Sequence, residues 1–207
     1  MKNIQQHYID YVMDFAKENR IHIWLSGSFL HKTSTAFSDV DISAFCNAEL
    51  LKKLIYGYGN PVYISYTQNP LGLLIVIYEN GVAVDLEVIE GIEISDGVFF
   101  HTDDIKTYHY NRNEKLCKQF SLNNDIHYQT ARLFHRSLIK FLSGKYEMGA
   151  SIANEIAVFH NCNAYVNKTN YKDGIIYLLK SFNEQYPLPI DYLYILWKLI
   201  ENLDEPN

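Results

Sequence analysis

Gly27-Ser28 is followed, after ten residues, by Asp39-Val40-Asp41, and these few residues carry the parts of a phosphate-transfer site. Residues i and i+2 of a strand point to one face, so Asp39 and Asp41 are expected to project together. Two carboxylates held that close repel, and a chain keeps such a pair where a cation neutralises it. Mg²⁺ suits the role, because hard cations take oxygen ligands and leave coordination positions for phosphate oxygens. Gly27 has no Cβ, so the backbone can turn sharply and a ligand can come close to its amides. Ser28 adds a hydroxyl, and N–H groups at the start of a following helix would form an anion-binding concavity. Phosphate binding on one side and metal-holding carboxylates on the other describe a nucleoside triphosphate held through magnesium.

The flanking residues can position such a site. Residues 21–25 are apolar and β-prone, and residues 40–45 resume that character. The polar stretch between them opens with Gly-Ser and is rich in Thr and Ser. The pattern is strand, tight turn, short helix, strand. Lys32 falls in the turn, where its ammonium could serve the phosphates, although the turn could aim it either way.

This segment resembles the signature of the nucleotidyltransferase superfamily with the DNA polymerase β-like fold: an apolar strand, Gly-Ser, a spacer of about ten residues, then Asp-x-Asp. The resemblance implies a mixed sheet flanked by helices, two Mg²⁺ ions and a nucleoside triphosphate, ATP foremost, as co-substrate. It also implies a third carboxylate on a later strand. Residues 71–78 and 82–89 read as a β-hairpin around Glu79-Asn80-Gly81, with Asn-Gly expected to form a type I′ turn. Val82, Val84, Leu86 and Val88 make one face of its second strand; Ala83, Asp85 and Glu87 make the other. A carboxylate inside an apolar strand is costly unless it is bonded or ligates a metal. Asp85 best matches the third acid, and Glu87, one pleat along on the same face, is the alternative. The resemblance then implies that Asp39 and Asp41 hold one ion and share the second with Asp85. A further acid of antibiotic-modifying members, the base for the acceptor hydroxyl, falls to Asp85 or Glu87.

Bulk composition bounds the rest. At 207 residues and 48% hydrophobic, the chain is one or two globular domains with ample core. Its longest apolar run, residues 71–78, is far shorter than the roughly 20 residues of a membrane span. No hydrophobic leader stretch is visible at the N-terminus, and Cys46, Cys117 and Cys162 are odd in number and widely spaced. A cytoplasmic protein, monomer or homodimer, away from membranes is expected. The net charge of −6 is unevenly spread. Through residue 115 there are nine Lys/Arg against fifteen Asp/Glu; beyond it the count is nine against nine. Residues 79–104 hold eight acids and no Lys or Arg. Proteins that grip nucleic acid show the opposite, a basic patch. A small, cationic hydroxyl acceptor is expected instead, because an acidic cleft concentrates it.

Residues 4–18 form an amphipathic helix through Ile4, Tyr8, Tyr11, Val12 and Phe15. A short helix spans residues 49–55 and stops at the glycines before Pro61, and residues 62–66 form a strand. Residues 90–121 have mixed character and contain the junction, so the expected domains are 1–115, catalytic, and 116–207, a helical bundle. Four helices are expected in the second: one from about 124, with Ile126, Thr130, Leu133, Ser137 and Phe141 facing inward, then 146–165, 171–182 and 190–203. Arg132, Arg136 and Lys140 form a basic stripe on the first of these. As surface, the stripe needs no further explanation. In small nucleotidyltransferases, however, a basic residue of the helical half helps hold the triphosphate, which the resemblance would assign to Arg136 or Lys140.

Residues 133–168, with Phe141-Leu-Ser-Gly-Lys-Tyr146 at the centre, are similar to the helical half of lincosamide and aminoglycoside nucleotidyltransferases. The expected function is therefore Mg²⁺-dependent transfer of a nucleoside monophosphate to a hydroxyl of a small molecule, an antibiotic of those classes being the model acceptor. Nucleotidyl transfer to a protein or RNA in a toxin–antitoxin or stress system is the rival reading, and a non-catalytic nucleotide-binding protein is another. The Arg-x4–6-His motif of helical ribonuclease toxins is absent.

Overall fold

The computed structural model describes residues 4–67, 72–94 and 97–204, which fall into two compact units, Met1–Asn124 and Asp125–Asn207. The first is α+β. Its elements are α1 (Ile4–Asn19), β1 (Ile23–Ser26), α2 (Gly27–Leu30), β2 (Val40–Phe45), α3 (Ala48–Tyr58), β3 (Pro61–Thr67), β4 (Leu73–Tyr78), β5 (Ala83–Glu90), β6 (Phe100–His101), β7 (Asn111–Arg112) and α4 (Glu114–Phe120). The strands make one open mixed sheet in the order β3-β4-β5-β2-β1-β6, with β7 on β5. β2 runs parallel to β5 and antiparallel to β1, and β4 is antiparallel to β5.

Helices cover one face of this sheet. Tyr8, Val12 and Phe15 of α1, Leu51 and Leu54 of α3, and Leu116 of α4 share a core with Leu25, Ile42, Val76, Val84 and Leu86. Each buried Leu or Val side chain contributes about 1.5–3 kcal/mol of hydrophobic free energy, so this face anchors the unit. The other face is divided. A small apolar cluster of Trp24, Ile89, Ile92 and Ile105 occupies one end, with the His101 ring stacked 4.2 Å from Trp24. Ser43, Asp85 and Glu87 lie on the same face, beside the buried Ile75 and Ile77 of β4. Alternation along β5 therefore sends Val84, Leu86 and Val88 under the helices and leaves Asp85 and Glu87 on the opposite face.

Several local expectations are revised. The hairpin loop is not type I′. Only Gly81 takes a positive φ, 88°; its N–H donates to the Tyr78 carbonyl, and the Tyr78 N–H donates to the Val82 carbonyl. This is the three-residue loop that ends in a left-handed glycine. Leu71 lies outside the described residues. α3 continues past Gly57 to Tyr58, and α4 forms within residues read as mixed. The Asn113 side chain caps α4 by accepting from the Leu116 N–H at 3.0 Å. Because α4 packs on the sheet, the two units divide after Asn124 rather than after residue 115.

The second unit is helical: α5 (Ile126–Leu142), α6 (Tyr146–Phe159), α7 (Tyr171–Gln185) and α8 (Ile190–Glu201). Asp125 caps α5, accepting from the N–H groups of His127 and Tyr128. The buried residues of α5 include Ala131, Phe134, Leu138 and Leu142 together with Ser137, as expected; Thr130, Leu133 and Phe141 are half-buried, and Ile126 is exposed. α6 stops at Phe159, followed by Asn161 in the left-handed region at φ 51°. Gly149 lets α6 approach α5: a Cβ there would lie 2.8 Å from the Phe141 Cβ. Among the described residues, no helix is long and apolar enough to cross a membrane.

Candidate functional site

The turn between β1 and α2 puts Gly27 directly beneath Asp41. Gly27 has φ 63°, and a Cβ built on it would sit 1.9 Å from Asp41 Oδ2 and 2.6 Å from its Cγ. The Asp41 carboxylate thus occupies the space that any side chain at position 27 would need. The strand pairing explains the juxtaposition, since Ser26, the last residue of β1, is the antiparallel partner of Asp41. The Gly-Ser turn and the Asp-x-Asp segment are therefore one structural unit, joined by the β1–β2 register.

The third acid arrives through the parallel pair. Asp41 and Asp85 are register partners on β2 and β5, as are Ser43 and Glu87. Neighbouring strands lie about 4.8 Å apart, so two carboxylates stand side by side on one face. They line a cleft of about 260 Å³ together with Ser26, Gly27 and Glu87. That is smaller than the roughly 300–1,000 Å³ of sites that engulf a whole small ligand, so the cleft would take only the reacting part of one.

Asp85 and Glu87 have different surroundings. Glu87 is buried and accepts three side-chain hydrogen bonds: from Ser43 Oγ at 2.8 Å, from the Tyr110 hydroxyl at 3.2 Å, and from Arg112 Nε in an ion pair. Burial works against the Arg112 charge, but the Glu87 bond and charge outweigh it and hold the guanidinium above its ordinary pKa. Burial, then the Glu87 charge, raises the Tyr110 phenol as well. Glu87 is thus the counter-ion of Arg112, while Asp85 is half-buried and lines the cleft beside Asp41.

The remaining candidates are more scattered. Asp39 is half-buried, one residue before β2 begins, and does not line the cleft. Ser28 Oγ is buried without a hydrogen-bond partner, an orphan that a ligand oxygen could satisfy. α2 is a single turn, so anion binding there would rest on individual N–H groups and the Ser28 hydroxyl rather than on a macrodipole. Lys32 is exposed at φ 57° and outside the cleft wall. Arg136 and Lys140 are half-buried on α5, in the other unit, whereas every lining residue comes from the first unit.

No protein-family model matches this chain, and no curated protein matches it significantly. The site must therefore be judged on its own chemistry. Asp41 and Asp85 supply hard oxygen donors side by side, with Gly27 leaving room for the Asp41 carboxylate, and that donor set suits Mg²⁺. Among the described residues, no three His, Cys, Asp or Glu side chains form a ready-made metal-ligand group. The fit to magnesium is thus one of two adjacent acids, with Asp39 flanking them.

Sequence reasoning missed the opposite wall. Ile105, Lys106, Tyr110 and Arg112 line the cleft from the segment that follows β6. A signal was available: Lys106 and Arg112 are the first cations after the acidic run of residues 79–104. That run also forms no continuous acidic wall. Glu79, Glu90 and Glu93 are exposed, Glu87 is paired, and Asp103 accepts from the Tyr108 hydroxyl at 2.6 Å. Asp104 caps the 3-10 turn Ile105–Thr107, and Asp96 lies outside the described residues.

Proposed function

We propose that the chain is a nucleotidyltransferase of the polymerase β-like type, moving a nucleoside monophosphate from a nucleoside triphosphate, ATP foremost, to a hydroxyl of a small molecule. The observation that carries this reading is the in-register Asp41–Asp85 pair beside the Gly27 turn that makes room for the Asp41 carboxylate. Two carboxylates fixed next to each other repel, and their retention on facing strands is accounted for if they serve a cation.

Asp41 and Asp85 would hold magnesium, with Asp39 close enough in sequence to complete the set. When bound, the metal would supply charge neutralisation at the reacting phosphate and acidify the attacking hydroxyl. The chain's own residues do the rest. Gly27 and Ser28 orient the phosphates by close backbone approach and a donated hydroxyl. An Asp85 carboxylate oxygen takes the proton from the acceptor hydroxyl as it attacks the α-phosphorus in line. Pyrophosphate is the leaving group. Holding both reactants in the cleft makes the step effectively unimolecular.

Incubation with labelled ATP, GTP, CTP or UTP, Mg²⁺ and a panel of aminoglycosides and lincosamides should release pyrophosphate and label one acceptor class. Labelling of a protein or RNA instead would move the chain to the rival transferase reading. Triphosphate binding with no transfer to any acceptor would favour a non-catalytic role.

The acceptor we propose is small and amine-bearing. The exposed Glu90 and Glu93 at the end of β5 and just beyond it would draw such a molecule. Neutralising both with Gln should raise the acceptor KM several-fold at low salt and much less at high salt, where exposed charges are screened. Triphosphate affinity should not change. Tight, steeply salt-dependent binding of tRNA or single-stranded DNA would count against a small acceptor.

A further inference from the structure

The segment facing the acid pair is built to be held still. Ile105 is buried in the apolar cluster with Trp24, Ile89 and Ile92. The Asp104 side chain accepts from the Lys106 N–H at 3.0 Å, and its carbonyl accepts from the Thr107 hydroxyl at 2.8 Å. The Tyr108 ring packs edge-on against Trp24, with centroids 5.4 Å apart. At the far end β7 joins the edge of β5, and the Asn113 N–H donates to the Val88 carbonyl at 2.8 Å. Between these anchors, Tyr110 and Arg112 both reach Glu87, whose other carboxylate contact is Ser43 of the sheet. One buried carboxylate therefore ties the segment to the floor of the cleft.

Two cations line this wall, and they are not equivalent. Arg112 is committed to Glu87. Lys106 is exposed, and among the described residues its ammonium has no carboxylate partner, although the neighbouring stretch is strongly acidic. The wall thus holds one spent cation and one available cation, opposite the two acids that would carry the metal.

We propose that Lys106 holds the β,γ-phosphates of the bound triphosphate, and that Glu87 is a positioning residue that fixes the segment carrying it. This rests on the triphosphate reading above and assigns the polyphosphate's counter-charge to Lys106 rather than to Lys32, Arg136 or Lys140. A lysine ammonium is a compact donor suited to phosphate oxygens, and a braced segment loses little freedom on engaging them.

The test is equilibrium binding of ATP and of AMP to the full chain with Mg²⁺, before any turnover measurement. Lys106→Ala should weaken ATP by roughly 10- to 100-fold, the worth of a charge-assisted hydrogen bond, and leave AMP unchanged, because AMP lacks the phosphates in question. Lys106→Arg should recover most of the loss. Glu87→Gln should weaken ATP several-fold in the Lys106 background and add nothing once Lys106 is Ala, since it acts through that residue. Tyr110→Phe, which removes a single hydroxyl, gives the same comparison if Glu87→Gln does not fold. ATP affinity unchanged in Lys106→Ala, with the parent chain binding ATP, overturns the proposal and leaves the triphosphate reading intact. Equal losses for ATP and AMP overturn it too. A parent chain that binds no ATP overturns both.

Discussion

Asp41→Asn and Asp85→Asn should each lower nucleotidyl transfer by on the order of 10³-fold or more, with both variants folded and at least as stable as the parent chain without metal. An amide offers no charge to hold Mg²⁺, and losing the metal's stabilisation of the reacting phosphate is worth several kcal/mol. Stability should move the other way. Two unit charges about 5 Å apart repel by about 1 kcal/mol in water-like surroundings and about 3 kcal/mol at an effective dielectric constant of 20. Replacing either member of the register pair relieves that repulsion. Pyrophosphate release across a Mg²⁺ titration, beside thermal melts in chelator, gives both numbers. Glu87→Gln should be milder than Asp85→Asn by roughly 10²-fold, because Glu87, although it lines the cleft, has its carboxylate engaged with Ser43, Tyr110 and Arg112. Asp39→Asn decides the ligand set: a loss equal to that of Asp41→Asn brings Asp39 in, and parent-like activity restricts the set to Asp41 and Asp85. Full activity in Asp41→Asn would sink the assignment.

Gly27→Ala should be nearly as damaging, for a different reason. The new Cβ would fall 1.9 Å from Asp41 Oδ2, and the contact is not with a flexible tip but with the carboxylate that the mechanism needs. Asp41 must rotate out of place or the β1–α2 turn must shift. A non-glycine residue at φ 63° adds about 1–2 kcal/mol of its own, which lowers the Tm of a chain this size by about 2–8 °C. We expect activity to fall by at least about 10²-fold. Asp41→Ala would keep the Cβ that lies 3.1 Å away. In an Asp41→Gly background the clash is gone, so Gly27→Ala should cost only the backbone term, and that non-additivity identifies the cause. Gly81→Ala is the control: Gly81 also has a positive φ, but nothing lies within 4 Å of its would-be Cβ. It should lose some stability and no activity. Gly27→Ala with normal turnover would show that the tight packing of Asp41 on the turn has no role in the chemistry.

The division between sequence and tertiary structure follows the range of the interactions. The spacing of apolar residues determined α1, and the return of β-prone residues after the polar turn determined β2 at Val40–Phe45. Alternation along the second hairpin strand determined that Asp85 and Glu87 share a face opposite Val84 and Leu86. These are properties of adjacent residues, and periodicity reports them. The α5 stripe shows the limit, since Thr130 and Leu133 satisfy the helical period as well as Ala131 and Phe134 do. Only packing against the neighbouring helices chose the second set. The hairpin loop is similar: Asn80-Gly81 announced a turn, but the hydrogen bonds closing on Tyr78 and Val82 selected a three-residue loop. The site was legible as parts, not as an assembly. That Asp41 faces Asp85 depends on β2 pairing in parallel with a strand more than forty residues later. That Glu87 is paired depends on Arg112 and Tyr110, whose segment returns to the sheet through β7. Charge and spacing can say that two acids lie on one face of a strand; that one of them, Glu87, is held by Ser43, Tyr110 and Arg112 was decided by the segment that the folded chain brought to it.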